Sequence, residues 1–371
     1  MRILFFLARF VVGALFIFSG FVKGIDPWGS AYKFIDYFSA LGIDAIAWSA
    51  YPLGMLLSFA EFFVGVGILF GLRQKLFPAG AMLFMLFFTP LTLWIAVANP
   101  VTDCGCFGDA WVISNWETFY KNLVLLALSL LIWLKHSSIQ PLPLGRLRAL
   151  FGYASLAVYV ISVGWSAWYE PVIDFRPFKV GVNIAEAMEI PPDAEPDVYE
   201  HSLYYRNKNS NEVVKFSDKD YPWEDTENWE FDRMDEPVLI KEGFRPAIKS
   251  FAVETYQGDN IADQFLYDPN YVFIVISHKL EKSSIRNLSQ LNRLAAWAAQ
   301  KSYAFIGLTA SDTAAIELFQ QQTGFSVPFY SADEIDLKTI IRSNPGLLVL
   351  KNGTIVGKFS HNNLPDPNRF E

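Results

Sequence analysis

The entire cysteine content of the 371-residue chain is Cys104 and Cys106, two positions apart in the string Asp103-Cys104-Gly105-Cys106-Phe107-Gly108-Asp109. Gly105 and Gly108 permit a tight turn, and residues i and i+2 can bring their α-carbons to the roughly 5 to 7 Å that a disulfide tolerates. So small a ring should be strained, and strain raises the reduction potential, which suits a pair that exchanges more than one that staples. Three chemistries fit: redox exchange with a partner thiol, a static loop disulfide, or soft-metal binding. Two thiolates alone do not complete a zinc shell, so no metal is assigned. The flanking Asp103 and Asp109 work against a reactive thiolate, because nearby negative charge raises a thiol pKa.

A second candidate constellation is a pair of charges inside apolar sequence, Arg9 and Glu61. Each alone would cost several kcal/mol in hydrocarbon, so the expectation is an ion pair facing a helix bundle, fixing register or serving a proton or quinone headgroup.

The elements that must position these residues follow from composition. The chain is 52% hydrophobic and only 18% charged, against about a quarter charged in ordinary soluble domains. Residues 1–170 hold ten Lys/Arg and eight Asp/Glu; the rest hold twenty and thirty, so the net charge of −8 belongs to the second half. No dense basic surface for nucleic acid appears in either. Five apolar runs, 3–22, 52–72, 76–97, 119–134 and 150–168, approach the ~20 residues that cross a bilayer. The first also resembles a signal peptide, but Arg9 interrupts it and further spans follow. Bases concentrate at Arg73, Lys75, Lys135, Arg146 and Arg148. Counting them places the amino terminus in the cytoplasm and everything after Trp168 on the far side, the periplasm of a bacterial inner-membrane protein. The cysteine loop falls on that far side, where disulfides persist. Aromatic residues from Trp111 to Trp116 suit the membrane interface and are expected to hold the loop flat on it.

The exported half divides into a linker and β-rich subdomain, 171–244, and an α/β domain, 245–371. Short alternating runs at 202–206 and 213–216 read as strands, and the acidic stretch 221–229 as a solvated loop. A strand is expected at 247–254. Tyr271–Ile276 is a continuous apolar strand, 285–300 has helical periodicity, and 303–308 is a second buried strand; helices follow near 313–322 and 335–342. Lys351-Asn352-Gly353 joins the last two strands as a hairpin.

The pattern of Arg9, Ser19-Gly20, Lys23, Asp26-Pro27, Glu61, Gly65, Gly67, the cysteine string and Lys121-Asn122 resembles the DoxX-related membrane proteins, and among them is most similar to the MauE branch, named for methylamine utilisation. The resemblance covers about residues 1–135. It implies a four-helix bundle, to which this chain adds a fifth span. By analogy it implies membrane-linked thiol or quinone chemistry at Cys104 and Cys106, supported by Asp103, Gly105, Phe107, Gly108 and Asp109, that helps an exported partner acquire disulfides. Residues 245–362 resemble a thioredoxin-like domain, most specifically in Asn344-Pro345 through Gly353; the resemblance implies a cis peptide at Pro345 beside a binding groove. The family's redox cysteines would stand in Ser277-His278-Lys279-Leu280-Glu281-Lys282-Ser283-Ser284, which has none, and a hydroxyl cannot form the sulfur-bridged intermediate. His278 is expected to be a surface histidine. The expected protein is a membrane redox protein whose cysteine-less domain docks an exported client protein or peptide, with quinone as the cofactor class. The alternatives are a non-enzymatic membrane scaffold with a structural disulfide and a DoxX-like quinol oxidoreductase subunit.

Overall fold

The computed structural model describes residues 2–139, 147–218, 220–241 and 243–371. Arg146, one of the bases that orient the chain, lies outside them. Two compact units emerge: Met1–Val182 together with Ala252–Glu371, and Asn183–Phe251. The second unit starts at Asn183 and not at 171 because residues 174–182 are tied to the last sheet by the Lys358–Asp174 ion pair and by backbone hydrogen bonds of Gly181 and Val182 with Ile355.

In the first unit, α1 (Arg2–Ile25), α3 (Ala50–Phe70), α4 (Leu76–Ala98), α5 (Asn115–Leu134) and α6 (Leu147–Trp168) supply five helices long and apolar enough to cross a membrane among the described residues. Helices α1 and α3 approach closely because glycine faces backbone across their contact: a Cβ on Gly65 would lie 2.6 Å from the Ile17 nitrogen. Val12, Ile68, Met85, Leu125 and Ile132 fill the bundle interior. Helix α5 begins four residues earlier than the apolar run suggests, because Ser114 and Glu117 form a capping box there.

One helix was not anticipated. Pro27–Ala40, α2, starts on an Asp26 cap with proline at its first position and lies between the first two spans. Its mixed composition hides it from a search for apolar runs. The aromatic segment 111–116 forms no element of its own: after a 3-10 turn at Gly108–Ala110, residues 111–114 have no regular structure and Asn115 and Trp116 open α5.

The second unit has a short helix, α7 (Ile184–Met188), and five strands: β1 (Val198–Glu200), β2 (Ser202–Asn207), β3 (Val213–Ser217), β4 (Trp229–Met234) and β5 (Val238–Lys241). They pair as β1 with β5 and as β3-β2-β4, all antiparallel.

The chain re-enters the first unit through α8 (Ala262–Leu266), then β6 (Tyr271–Ile276), α9 (Leu288–Gln300), β7 (Ala304–Thr309), α10 (Thr313–Thr323), β8 (Phe329–Ser331), α11 (Glu334–Ile340), β9 (Gly346–Lys351) and β10 (Thr354–Ser360). The sheet order is β10-β9-β6-β7-β8. Strands β6, β7 and β8 are parallel, while β9 and β10 are antiparallel additions joined by Asn352-Gly353, both at positive φ. The runs at β6 and, as far as Leu350, β9 are apolar because both faces are covered. No strand forms at 247–254; there Glu254 makes only isolated bridges, to Asn260 and Ser331.

Candidate functional site: a dithiol loop over a membrane cavity

The loop after α4 folds back over the bundle and is held by the neighbouring helices. Tyr37 of α2 donates to the Cys104 carbonyl at 2.8 Å, and Ser19 of α1 donates to the Cys106 carbonyl at 2.7 Å. Asp103 accepts from the Gly105 amide at 2.8 Å and pairs with Lys33 at 2.7 Å. Gly105 sits at φ 67°, and a Cβ there would press on Lys33 at 2.9 Å. Gly105→Ala is therefore expected to cost ~1–2 kcal/mol, read as a lower thermal midpoint of the purified protein in detergent.

Phe107 is buried, stacks on Trp111 at 5.6 Å and lies under the Lys121 ammonium at 4.2 Å. Gly108 also has positive φ, which lets the chain turn away after Phe107. Both cysteines are thiols; Cys104 is buried and Cys106 half-buried.

The two thiols are hydrogen-bonded to each other and divide the work of ionisation. Donation from Cys104 lowers Cys106 to about 6 against the opposing effect of burial, helped by the Lys121 and Lys23 cations. The same hydrogen bond, with burial, pushes Cys104 well up. The pair thus loses its first proton near pH 6 and holds its second tightly. Asp103 and Asp109 do not prevent this, because their charge is taken up by Lys33 and by Arg342.

The Arg9–Glu61 pair expected from the sequence does not form. Glu61 pairs with Lys23 at 2.6 Å and accepts from Ser19 at 2.9 Å, while the Arg9 guanidinium donates to the Ile68 and Leu69 carbonyls near the end of α3. Depth matching could not separate these choices. Lys23 lies one turn from Ser19 on α1, on the face that meets Glu61, whereas Arg9 finds carbonyls at the end of α3, where intrahelical partners run out. Glu61→Gln would leave Lys23 unpaired in a nearly dry site, at a cost of about 3–5 kcal/mol. A double-mutant cycle with Lys23→Met, scored by thermal unfolding, should show strong coupling.

Both thiols line a cavity of about 1200 Å³ bounded by α1 to α5, by residues 171–176 and by α11 with Arg342. Its lining is mainly apolar, with Leu57, Phe84, Met85 and Leu125; Lys121, Lys23 and Glu61 also line it and act electrostatically on Cys106. Above them sits Arg342, which follows α11 and is 8% exposed. Its guanidinium forks onto Asp26 at 2.7 and 3.0 Å and reaches Asp109 at 3.0 Å; its backbone amide and that of Ser343 donate to Glu170. Burial opposes ionisation of Asp26, but Arg342 and Arg176 outweigh it and hold its carboxyl below the usual range. Burial raises Asp109.

The Asn344–Pro345 peptide is cis. The Pro345 carbonyl accepts from Ser343, next to Arg342, and Ser360 and Asn362 donate to the Trp168 carbonyl. This end of the sheet therefore meets the helices. His278 is half-buried, not on the open surface, and burial lowers it to about 4.

With the helices, the loop and the cavity in place, the comparison with known families becomes specific. Residues 1–135 match the family model of methylamine utilisation protein MauE. The match spans α1 to α5, so every membrane residue around the thiols falls within it, whereas Arg342 and the sheet fall outside. No curated protein and no solved structure matches the chain. Residues 1–135 are thus MauE-like and belong to a multi-pass membrane protein.

Of the residues singled out by sequence, Cys104, Cys106, Asp103, Gly105, Phe107, Gly108 and Asp109 share one loop, and Glu61 stands beside it through Ser19. Arg9 contacts the distant end of α3. Tyr37, Lys33 and Arg342 were missed: α2 was not foreseen, and nothing near Arg342 in sequence points to a site 233 positions earlier.

Proposed function

We propose that the protein is a bacterial inner-membrane thiol oxidoreductase that helps exported proteins acquire disulfides, with Cys104 and Cys106 as its exchanging pair. The observation that carries this reading is that the two thiols, hydrogen-bonded to each other, line a large, mainly apolar cavity that runs from the helices to the segment around Arg342. A structural staple needs no such cavity.

In the oxidised protein, a client thiolate attacks Cys104 Sγ. The Cys104–Cys106 bond breaks, Cys106 leaves as the more stable thiolate, and a mixed disulfide joins Cys104 to the client. The second client thiolate attacks its own sulfur in that bond and expels Cys104, which regains a proton. The client is oxidised by two electrons and the pair is left as a dithiol. Reclosing the pair releases two electrons and two protons; a quinone, if bound in the cavity, would supply the two-electron acceptor that this requires. The residues present fit such a group: an apolar wall for a hydrocarbon tail, and Lys121 as a donor in the same cavity. Lys23 and Glu61, paired beside Cys106, are placed to pass protons.

The cation count in the short loops supports a cytoplasmic amino terminus and a periplasmic C-terminal domain. Its strand order, the cis-Pro345 turn and the Asn-Gly hairpin support a thioredoxin-like reading, with 245–371 serving as a redox-inactive domain that seats a client at the dithiol loop. The DoxX relation is supported by the motif around Glu61 and Lys23.

The test uses the full chain in lipid nanodiscs, dithiothreitol as the dithiol and a short-chain ubiquinone as acceptor. Catalysed, quinone-dependent oxidation is expected. Oxidation no faster than in empty nanodiscs, with the pair fixed as a disulfide, would leave the scaffold reading in its place.

A further inference from the structure

Two cations bear on Cys106, and they are wired differently. Lys23 is neutralised by Glu61 at 2.6 Å. Lys121 projects from the second turn of α5 over the Phe107 ring at 4.2 Å, and among the described residues it has no ion pair. It lines the same cavity as Cys106. A lysine ammonium against an apolar wall is costly unless an opposite charge compensates it. The Phe107 face offers part of that compensation, Phe107 is the residue after Cys106, and the ammonium held there is close enough to favour the Cys106 thiolate.

From this geometry we infer that Lys121 is a positioning residue for the redox pair, its ammonium serving as the standing counter-charge to the Cys106 thiolate. The inference rests on the proposed exchange chemistry and names the group that tunes it. The other charges facing the sulfur do not replace Lys121. Lys23 and Glu61, from α1 and α3, largely cancel; Cys104 supplies a hydrogen bond; Tyr37 of α2 is a neutral phenol whose ionisation is strongly opposed by burial. The Lys33–Asp103 pair on the far side of the loop is internally balanced. Through Lys121, the loop keeps one sulfur anionic as leaving group and leaves the other protonated.

The experiment is the pH dependence of Cys106 alkylation by iodoacetamide in the reduced, full-length protein in nanodiscs, read by peptide mass spectrometry. Wild type should show a midpoint near 6. Lys121→Met should raise it by about one unit, which slows alkylation about fivefold at pH 6. Lys121→Arg should keep the wild-type midpoint, because it restores charge without restoring shape. Should Lys121→Met fail to fold, Phe107→Leu, which removes the ring under the ammonium but keeps the charge, should move the midpoint the same way by a smaller amount. An unchanged midpoint in Lys121→Met, or in Phe107→Leu where it alone folds, overturns the inference while leaving the exchange chemistry intact. A wild-type midpoint at the ordinary thiol value of about 8.5 overturns both.

Discussion

Replacing Cys106 with serine is expected to bring quinone-dependent dithiol oxidation down to the rate of empty nanodiscs. The effect is this large because serine cannot form the sulfur bridge through which both electrons pass. Cys104→Ser should be equally inactive, for the same reason, yet the two variants should differ in chemistry. With Cys104 gone, Cys106 loses the hydrogen bond that contributes most to its depressed pKa. Its alkylation at pH 6 should therefore slow, and in Cys106→Ser the remaining Cys104 thiol, released from its partner but still raised by burial, should react slowly at every pH below the ordinary thiol range. In wild type the sign is set by the lowered value: reactivity is full above about pH 6 and falls about tenfold per unit below it. Equal alkylation profiles for the two single variants would contradict this division between the sulfurs.

Arg342→Ala is expected to have the second-largest effect, on access instead of chemistry. Arg342 brings the last sheet down on the dithiol loop by satisfying Asp26 and Asp109 together, and its loss leaves Asp26, buried and negative, without its fork partner. Breaking one side of such a buried pair costs about 3–5 kcal/mol. At 1.4 kcal/mol per tenfold, even a third of that should raise alkylation of the cysteines by a bulky maleimide about tenfold. The second contact line, from Lys358 and Arg176 to Asp174, keeps the linker on the sheet, so the variant should stay folded with a looser cover. An unchanged maleimide rate would mean that Arg342 does not govern the approach to the loop. Arg342→Lys is a useful comparison, since a lysine supplies the charge but not the fork onto Asp26.

What the sequence disclosed depended on how local the physics was. The Cys-Gly-Cys loop could be read directly because a dithiol is chemistry written in adjacent residues, and the five spans because hydrocarbon enforces long apolar runs. The Asn352-Gly353 turn was equally local. Charge pairing was less legible. Arg9 and Glu61 have compatible depth, but rotation about each helix decides which side chains meet, and Lys23 rather than Arg9 shares the face of Glu61. Helix α2 escaped notice because its aromatic and polar residues alternate without an apolar run; its Asp26-Pro27 start was the available signal. Arg342 lay beyond reach in principle. It sits in an unremarkable stretch between a helix and a proline, and only the packing of the sheet against the bundle brings it to Asp26 and Asp109.

The central claim is that Cys104 and Cys106 cycle between dithiol and disulfide. The most direct measurement is alkylation trapping of the two cysteines in intact cells, with acid quenching and mass analysis, before and after a pulse of dithiothreitol and again after its removal. The account predicts a mixed population at rest, a shift to the doubly alkylated form during the pulse, and a return within minutes that slows when quinone reoxidation is blocked by a respiratory inhibitor. A pair found wholly oxidised at rest and unresponsive to the pulse would contradict it.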